Sequence, residues 1–277
     1  MQSPTIEFLN LDAWSIAHVS GFDPRELITR VEESGFAVQA QFETVGHHRG
    51  YWKGGPLRTK TALRYRTKQL LLRQPHPRRS EFRNLRWLRE RLFAAPRPLA
   101  VGEWRQRGLV RYQWLLTETM DDRQTWAEVW STLDTPNRQQ SIRYLADEVA
   151  RMHSLHFVHH DLFPRNLMIA PGSHLQPVGF LDSWAGGPGL GLRGPTYDIA
   201  CLALDWPETW TREEQVLFLE RYQNARTGQG KPIRNVSAWL RSIEKQRATW
   251  VRKLESSTRR RGGRPVPSAD WRAPIDV

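Results

Sequence analysis

Cysteine is almost missing from this sequence: Cys201 stands alone among 277 residues. One thiol builds neither a disulfide framework nor a thiolate metal site within a chain, and a reducing, cytoplasmic compartment fits that usage. Long apolar runs are missing as well. No stretch reaches the roughly 18 apolar residues of a membrane-spanning helix. The opening residues, MQSPTIEFLNLDAW, have neither a basic flank nor an apolar core, so no secretory signal is expected. Acid is in short supply: 29 Asp and Glu stand against 41 Lys and Arg, a formal net charge of +12. Such a balance favours anionic partners, among them nucleotides, acidic headgroups and phosphorylated glycans. No helix-turn-helix, zinc-finger or other nucleic-acid reading motif accompanies the charge, so nucleic acid is not the expected partner.

Tryptophan is plentiful, at 13 residues. Core packing accounts for such rings, and so does a place at a membrane interface or against a sugar. Hydrophobic residues at 39% and charged residues at 25% give a folded chain rather than a disordered one. Residues 1–24 are read as an N-terminal extension, with a short helix expected after Asp23-Pro24. FAVQAQFETVGHHRGYW, 36–52, alternates like a β-hairpin turning near Gly46. Residues 57–91 carry twelve Arg or Lys against Glu81 and Glu90. Within them Phe82, Leu85, Leu88 and Leu92 are spaced for a helix, with Ser80 as its expected cap. Strands are expected at AAPRPLAVGEW and at LVRYQWLLTETM, 109–120.

Beyond that point helices take over. Ile142, Leu145, Val149, Met152 and Leu155 mark one face of a long helix over 139–157. NLMIA and VGFLD read as two short strands joined by PGSHLQP, followed by helices at YDIACLALDW and REEQVLFLERYQ. Residues 261–277 read as a solvated, flexible basic tail. The expected fold class is α+β. A strand-rich lobe over 25–120 precedes a helix-rich lobe over 121–260, with a ligand cleft between them.

The segment HHDLFPRNLMI, 159–169, lies between the long helix and the two short strands. A lone D-x-x-x-x-N often marks only a turn. Here it follows a helix and precedes paired strands, and a second acid, Asp182, ends the second strand 21 residues after Asp161. The order resembles the catalytic segment of the protein-kinase-like superfamily, written H-R-D-L-x-x-x-N. His159, His160 and Asp161 fill its triplet and Asn166 its terminal position.

That resemblance implies roles with a clear chemical sense. An acceptor hydroxyl needs a carboxylate to orient it and take its proton, which suits Asp161. His159 belongs to the same catalytic loop, and holding the loop is its expected part. Magnesium prefers oxygen ligands; Asn166 and Asp182 supply a neutral and an anionic one. ATP is the implied cofactor. Its phosphates call for a lysine paired with a helix glutamate, for which Lys53 and Glu81 are the choices over Arg73, Lys68 and Glu90. Glu118 and Met120, at the end of the 109–120 strand, are assigned to cofactor binding with them. Asp198, in PTYDIACLALD, resembles the acid that ties down the loop backbone. No G-x-G-x-x-G lies in the first 120 residues, where Gly46 and Gly50 are the available substitutes.

Asp198 comes only 16 positions after Asp182, and Asp182-Ser183-Trp184 stands where protein kinases have DFG. A long activation segment with A-P-E is absent. KGGPL with its basic insert and EFRNLRWLRERLFAAPRPLAVG add to HHDLFPRNLMI, FLDSW and YDIACL. Together, over roughly 45–205, they resemble the lipopolysaccharide core kinases of the Kdo and heptose kinase family. Some heptose kinases have His at the position of Asn166, so the resemblance is closer to the Kdo-type branch or to a further branch of the family. It implies ATP-dependent phosphorylation of a sugar hydroxyl on a glycolipid, at the cytoplasmic face of the inner membrane. Contact with anionic lipid through 57–91 or 258–264 would suit the charge. An aminoglycoside-type or atypical protein kinase, or an inactive kinase-fold scaffold, are the competing readings.

If Lys53 grips the phosphates, Lys53→Met lowers steady-state ATP turnover by at least about tenfold while Arg73→Met is milder. The reverse order would move the strand to 68–73.

Overall fold

The computed structural model describes residues 4–11, 13–170, 178–189, 194–261, 266–267 and 271–275, without the side chains of 260 and 261. The chain divides into two compact units, Met1–Asp121 and Asp122–Val277.

The first unit runs β1 (Ile6–Leu11), β2 (Trp14–Val19), α1 (Arg25–Glu33), β3 (Gln39–Val45), β4 (His48–Pro56), α2 (Thr59–Leu72), α3 (Pro77–Glu90), β5 (Pro98–Gln106) and β6 (Leu109–Glu118). Its strands form one six-stranded sheet in the order β1-β2-β5-β6-β4-β3, antiparallel throughout. Residues 1–24, expected as an extension, instead supply two strands of this sheet. The cause is apolar burial: Trp14, Ile16, Ala17 and Val19 of β2 are buried, and β2 pairs with β5 from Trp14↔Trp104 to His18↔Ala100. α1 buries Leu27, Ile28 and Val31 in the same core, with Trp52, Tyr112, Trp114 and Leu116.

The basic stretch 57–91 becomes two helices. Pro75 and Pro77 break it: Pro77 opens α3, where a ring without an N–H costs least. Ser80 therefore lies inside the helix and does not cap it. Its hydroxyl donates to the Pro75 carbonyl at 3.2 Å. α2 was not legible, for it has no apolar stripe and buries only Ala62. Arg73 ends it in the left-handed region, φ 50, on no strand.

The second unit runs β7 (Gln124–Thr125), α4 (Trp126–Trp130), α5 (Thr135–Ser154), β8 (Phe157–Val158), a 3-10 turn at Pro164–Asn166, β9 (Leu167–Ile169), β10 (Gly179–Phe180), β11 (Gly187–Pro188), α6 (Gly194–Leu202), a second 3-10 turn at Ala203–Asp205, α7 (Trp206–Thr209), α8 (Arg212–Gly228) and α9 (Val236–Arg261). PGSHLQP lies outside the described residues. α5 and α8 are clamped by Arg221, whose two nitrogens each donate to Asp147 at 2.7 Å. Many tryptophans are core: Trp126, Trp130, Trp206 and Trp210 form a buried run of stacked or tilted rings against Phe218. α9 is bolted to the 3-10 turn after α6 by Arg247, buried and donating to the carbonyls of Ala203 at 3.0 Å and Leu204 at 2.8 Å.

The described part of the expected solvated tail is packed. The Trp271 indole donates to Gln215 at 2.8 Å, the Ala273 amide donates to Glu244 at 2.8 Å, and Val266 joins a small apolar cluster. Its apolar residues, Val266, Trp271 and Ile275, have a surface to cover, which the net basic composition of the segment concealed. Among the described residues no helix is long and apolar enough to cross a membrane.

In β5 the chain passes tightly against its neighbour: a Cβ on Gly102 would overlap the Trp114 ring. Gly102→Ala should therefore destabilise the first unit by about 1–3 kcal/mol. Denaturant unfolding followed by tryptophan fluorescence reads this as a lowered midpoint, and an unchanged midpoint would mean that the ring has room to move.

Candidate active site

In the second unit the site grows from a buried carboxylate. α6 carries Asp198 into the interior, fully buried. One of its oxygens accepts the backbone N–H of His159 at 2.6 Å, and the other accepts that of His160 at 2.7 Å. His153, on α5, meets the first oxygen through Nε2 at 3.1 Å and the Tyr222 hydroxyl through Nδ1 at 2.8 Å. Burial alone would raise the Asp198 pKa. The hydrogen bonds and charge of His153, with the His159 amide, outweigh it and hold the carboxyl below its ordinary value.

Two successive peptides are thus pinned, and His160 sits at φ 60. Few residues other than glycine adopt that conformation, and histidine is among those that do so more readily. Asp161 follows. Burial raises its carboxyl above the ordinary range, against the opposing charge of Arg165. Arg165 approaches it at 3.5 Å. The 3-10 turn then folds Asn166 back, and its side-chain nitrogen donates to the Asp161 carbonyl at 2.8 Å. With the nitrogen so used, the amide oxygen is the end left to meet a cation.

β9 and β10 bring the second acid alongside. Their ladder pairs Leu167 with Phe180, and the Leu181 N–H donates to the Asn166 carbonyl at 2.9 Å. Asp182 is the next residue, at φ 53. The chain then returns: β11 pairs with β8, and Gly186 lies so close to the loop that a Cβ there would overlap the Val158 carbonyl oxygen and stand 2.6 Å from the His159 carbonyl. His159 itself is fully buried, and desolvation keeps its imidazole pKa low despite Asp198 and Asp161 nearby.

In the first unit Lys53 lies on β4, paired across the sheet with Ala40 and Leu115. Its ammonium forms an ion pair with Glu81 of α3, whose carboxylate is buried. Arg78 holds the other oxygen of Glu81 at 2.9 Å. Arg73 and Lys68 are exposed on α2, and Glu90 pairs with Arg86 at 3.2 Å on the surface of α3. Glu118 ends β6 and is engaged by Arg97 at 3.0 Å and His48 at 3.3 Å. Met120 lies two residues past the strand, half-buried.

The structure thus brings Lys53 to Glu81 in one unit; in the other it joins Asn166 to Asp161 and ties the His159 and His160 amides to Asp198. Sequence reasoning missed His153, Tyr222, Arg78 and Gly186. His153 was findable: it falls four residues after Val149 on the buried stripe of α5. The paired glycines 186 and 187 were a second signal.

The family model for lipopolysaccharide kinases, Kdo/WaaP, matches residues 26–182, more than half of the chain. The chain belongs to the lipopolysaccharide kinase (Kdo/WaaP) family. It is a kinase. A solved structure described as WaaP in complex with acyl carrier protein aligns over 86% of this chain and 93% of that one, with a TM-score of 0.54. At 18% identity the likeness is one of fold, kinase-like with a strand-rich first part and a helical second part. In all, 1087 solved chains match, so the fold by itself does not choose an acceptor. No curated protein matches.

A kinase of this family implies ATP. The residues present also fit magnesium. That ion takes one or two carboxylate-type ligands and completes its shell with phosphate oxygens and water. Asn166 and Asp182, one amide oxygen and one carboxylate at the ends of paired strands, are a donor set of that size.

Asp198 has a depressed pKa, so its stabilising effect is complete above its unfolded value, about 3.9, and is lost as pH falls through the folded value. Asp198→Asn should cost about 3–5 kcal/mol near neutral pH. Thermal unfolding of both proteins against pH should show the gap closing below about pH 4. A gap that stays constant in acid would locate the stabilisation elsewhere.

Proposed function

We propose that this chain transfers the γ-phosphate of ATP to a sugar hydroxyl of the lipopolysaccharide core, with magnesium as the metal. Family membership supports the class. One observation supports the assignment of residues: the Leu181 N–H on the Asn166 carbonyl, with the Asn166 side chain on the Asp161 carbonyl. It ties the proposed base, the neutral ligand and the anionic ligand into one hydrogen-bonded segment.

In this reading Asp161 orients the acceptor hydroxyl and takes its proton. Its raised pKa makes it a better base than an ordinary carboxylate. Asn166 and Asp182 hold the metal, which when bound offsets charge on the transferring phosphoryl group. Lys53, aligned by Glu81, meets the α- and β-phosphates. His159 keeps the loop in place as a neutral ring. Asn166 at the end of the loop favours a Kdo-type acceptor over a heptose, at the cytoplasmic face of the inner membrane. WaaP is solved with acyl carrier protein. On that ground a carrier protein is a candidate partner here too, and a +12 chain favours an acidic one.

Mass spectrometry of glycolipids extracted with and without the gene tests the reading. Loss of the gene should remove one phosphate, and Asp161→Asn should fail to restore it, with turnover down by about 10²–10⁴-fold. The acidic limb of kcat/KM should lie above the usual carboxylate range, since burial raises Asp161. Unchanged glycolipids would favour a scaffold or another acceptor.

A further inference from the structure

Helix α2 contributes little to the core of its own unit, for Ala62 is the residue it buries. What it exposes is unusual. Leu70, Leu71 and Leu72 are 71%, 76% and 62% exposed in succession, and Leu63 is 48% exposed. Around them stand Arg58, Lys60, Arg64, Arg66, Lys68 and Arg73, with no acidic residue between Leu57 and Ser80.

The arrangement discriminates between occupants. Successive helical residues are turned by about 100°, so three leucines in a row wrap about 200° of the last turn. A groove on a partner protein reads a narrower stripe, spaced i, i+3 or i+4, i+7. An apolar end wrapped this far round suits a medium that is apolar on every side. Lys60, Arg64 and Lys68 recur every four residues on the side of Leu71. Their stems can lie along an apolar surface while their charges stay at its polar boundary. The charge is complementary to an anionic headgroup layer.

We propose that α2 is a membrane-docking helix, inserting Leu70, Leu71 and Leu72 into the interface of an anionic bilayer while Lys60, Arg64 and Lys68 bind headgroup phosphates. Such docking is peripheral, and it stands whatever the acceptor sugar proves to be.

Flotation of the full chain with vesicles tests this. Phosphatidylcholine vesicles with about one-third phosphatidylglycerol should carry the protein up, and phosphatidylcholine alone should not. Lys60→Gln, Arg64→Gln and Lys68→Gln combined should weaken binding about a hundredfold, since each well-placed cation contributes about fivefold. Leu70→Ser, Leu71→Ser and Leu72→Ser combined should weaken it by more than about tenfold. Both variants change exposed residues, and unaltered thermal unfolding checks that each is folded. Insertion has its own readout. Cys201 is buried, so a Leu71→Cys protein takes an environment-sensitive dye at one accessible thiol. Its emission should shift to the blue on anionic vesicles. Equal flotation of the variants and the unaltered protein would overturn the proposal. So would a dye that stays in water, or salt-sensitive capture by an acidic carrier protein without vesicle binding.

Discussion

The loop from His159 to Asn166 depends on one carboxylate that meets no solvent. Asp198 is enclosed, and it accepts hydrogen bonds from two consecutive backbone amides while facing His153. An enclosed anion costs several kcal/mol in lost hydration unless nearly every lone pair is used. Here both oxygens are used. Because the donors are peptides, bonding to Asp198 fixes backbone direction at His159 and His160, and that direction determines where Asp161 begins. His153 and Tyr222 extend the restraint to α5 and α8, so the loop is braced by the helix just before it and by one far later in the sequence.

The first unit repeats the scheme with the charges distributed differently. Glu81 is buried and shared between Lys53 and Arg78. Nearby in sequence, Glu103 is buried among His76, Arg79 and Arg105 at 3.0 to 3.3 Å. Burial opposes its ionisation, yet the three cationic or hydrogen-bonding neighbours hold its pKa below the ordinary value. These contacts anchor the start of α3 to β5, and α3 delivers Glu81. Paired charges of this kind add little net stability over apolar packing, but they penalise any other register of helix on sheet.

Local structure was legible in the sequence and long-range packing was not. Asp161, Asn166 and Asp182 lie within 22 residues, and their spacing is set by a loop and a strand pair, both short-range features. The hairpin of β3 and β4 and the long helix α5 show ordinary periodicity. β1 escaped notice because its burial pattern is mixed, as an edge strand's is. α2 escaped because its apolar residues face outward, so no stripe marks it. The buried stripe of α5 marks His153, but nothing local marks Asp198, 45 residues on, as its partner.

Restraint through the peptide rather than the side chain has a consequence for variation. At position 160 what Asp198 holds is an N–H within a left-handed turn, φ 60, while the imidazole meets the Ala185 carbonyl at 3.1 Å and the Tyr197 ring edge-on at 5.5 Å. The restraint by Asp198 does not depend on the side chain, which lets histidine stand in the place of arginine. Position 159 has no such latitude, since its ring is enclosed. The triplet is thus a rule about backbone shape with one fixed acid, and diversity within it is expected at its centre.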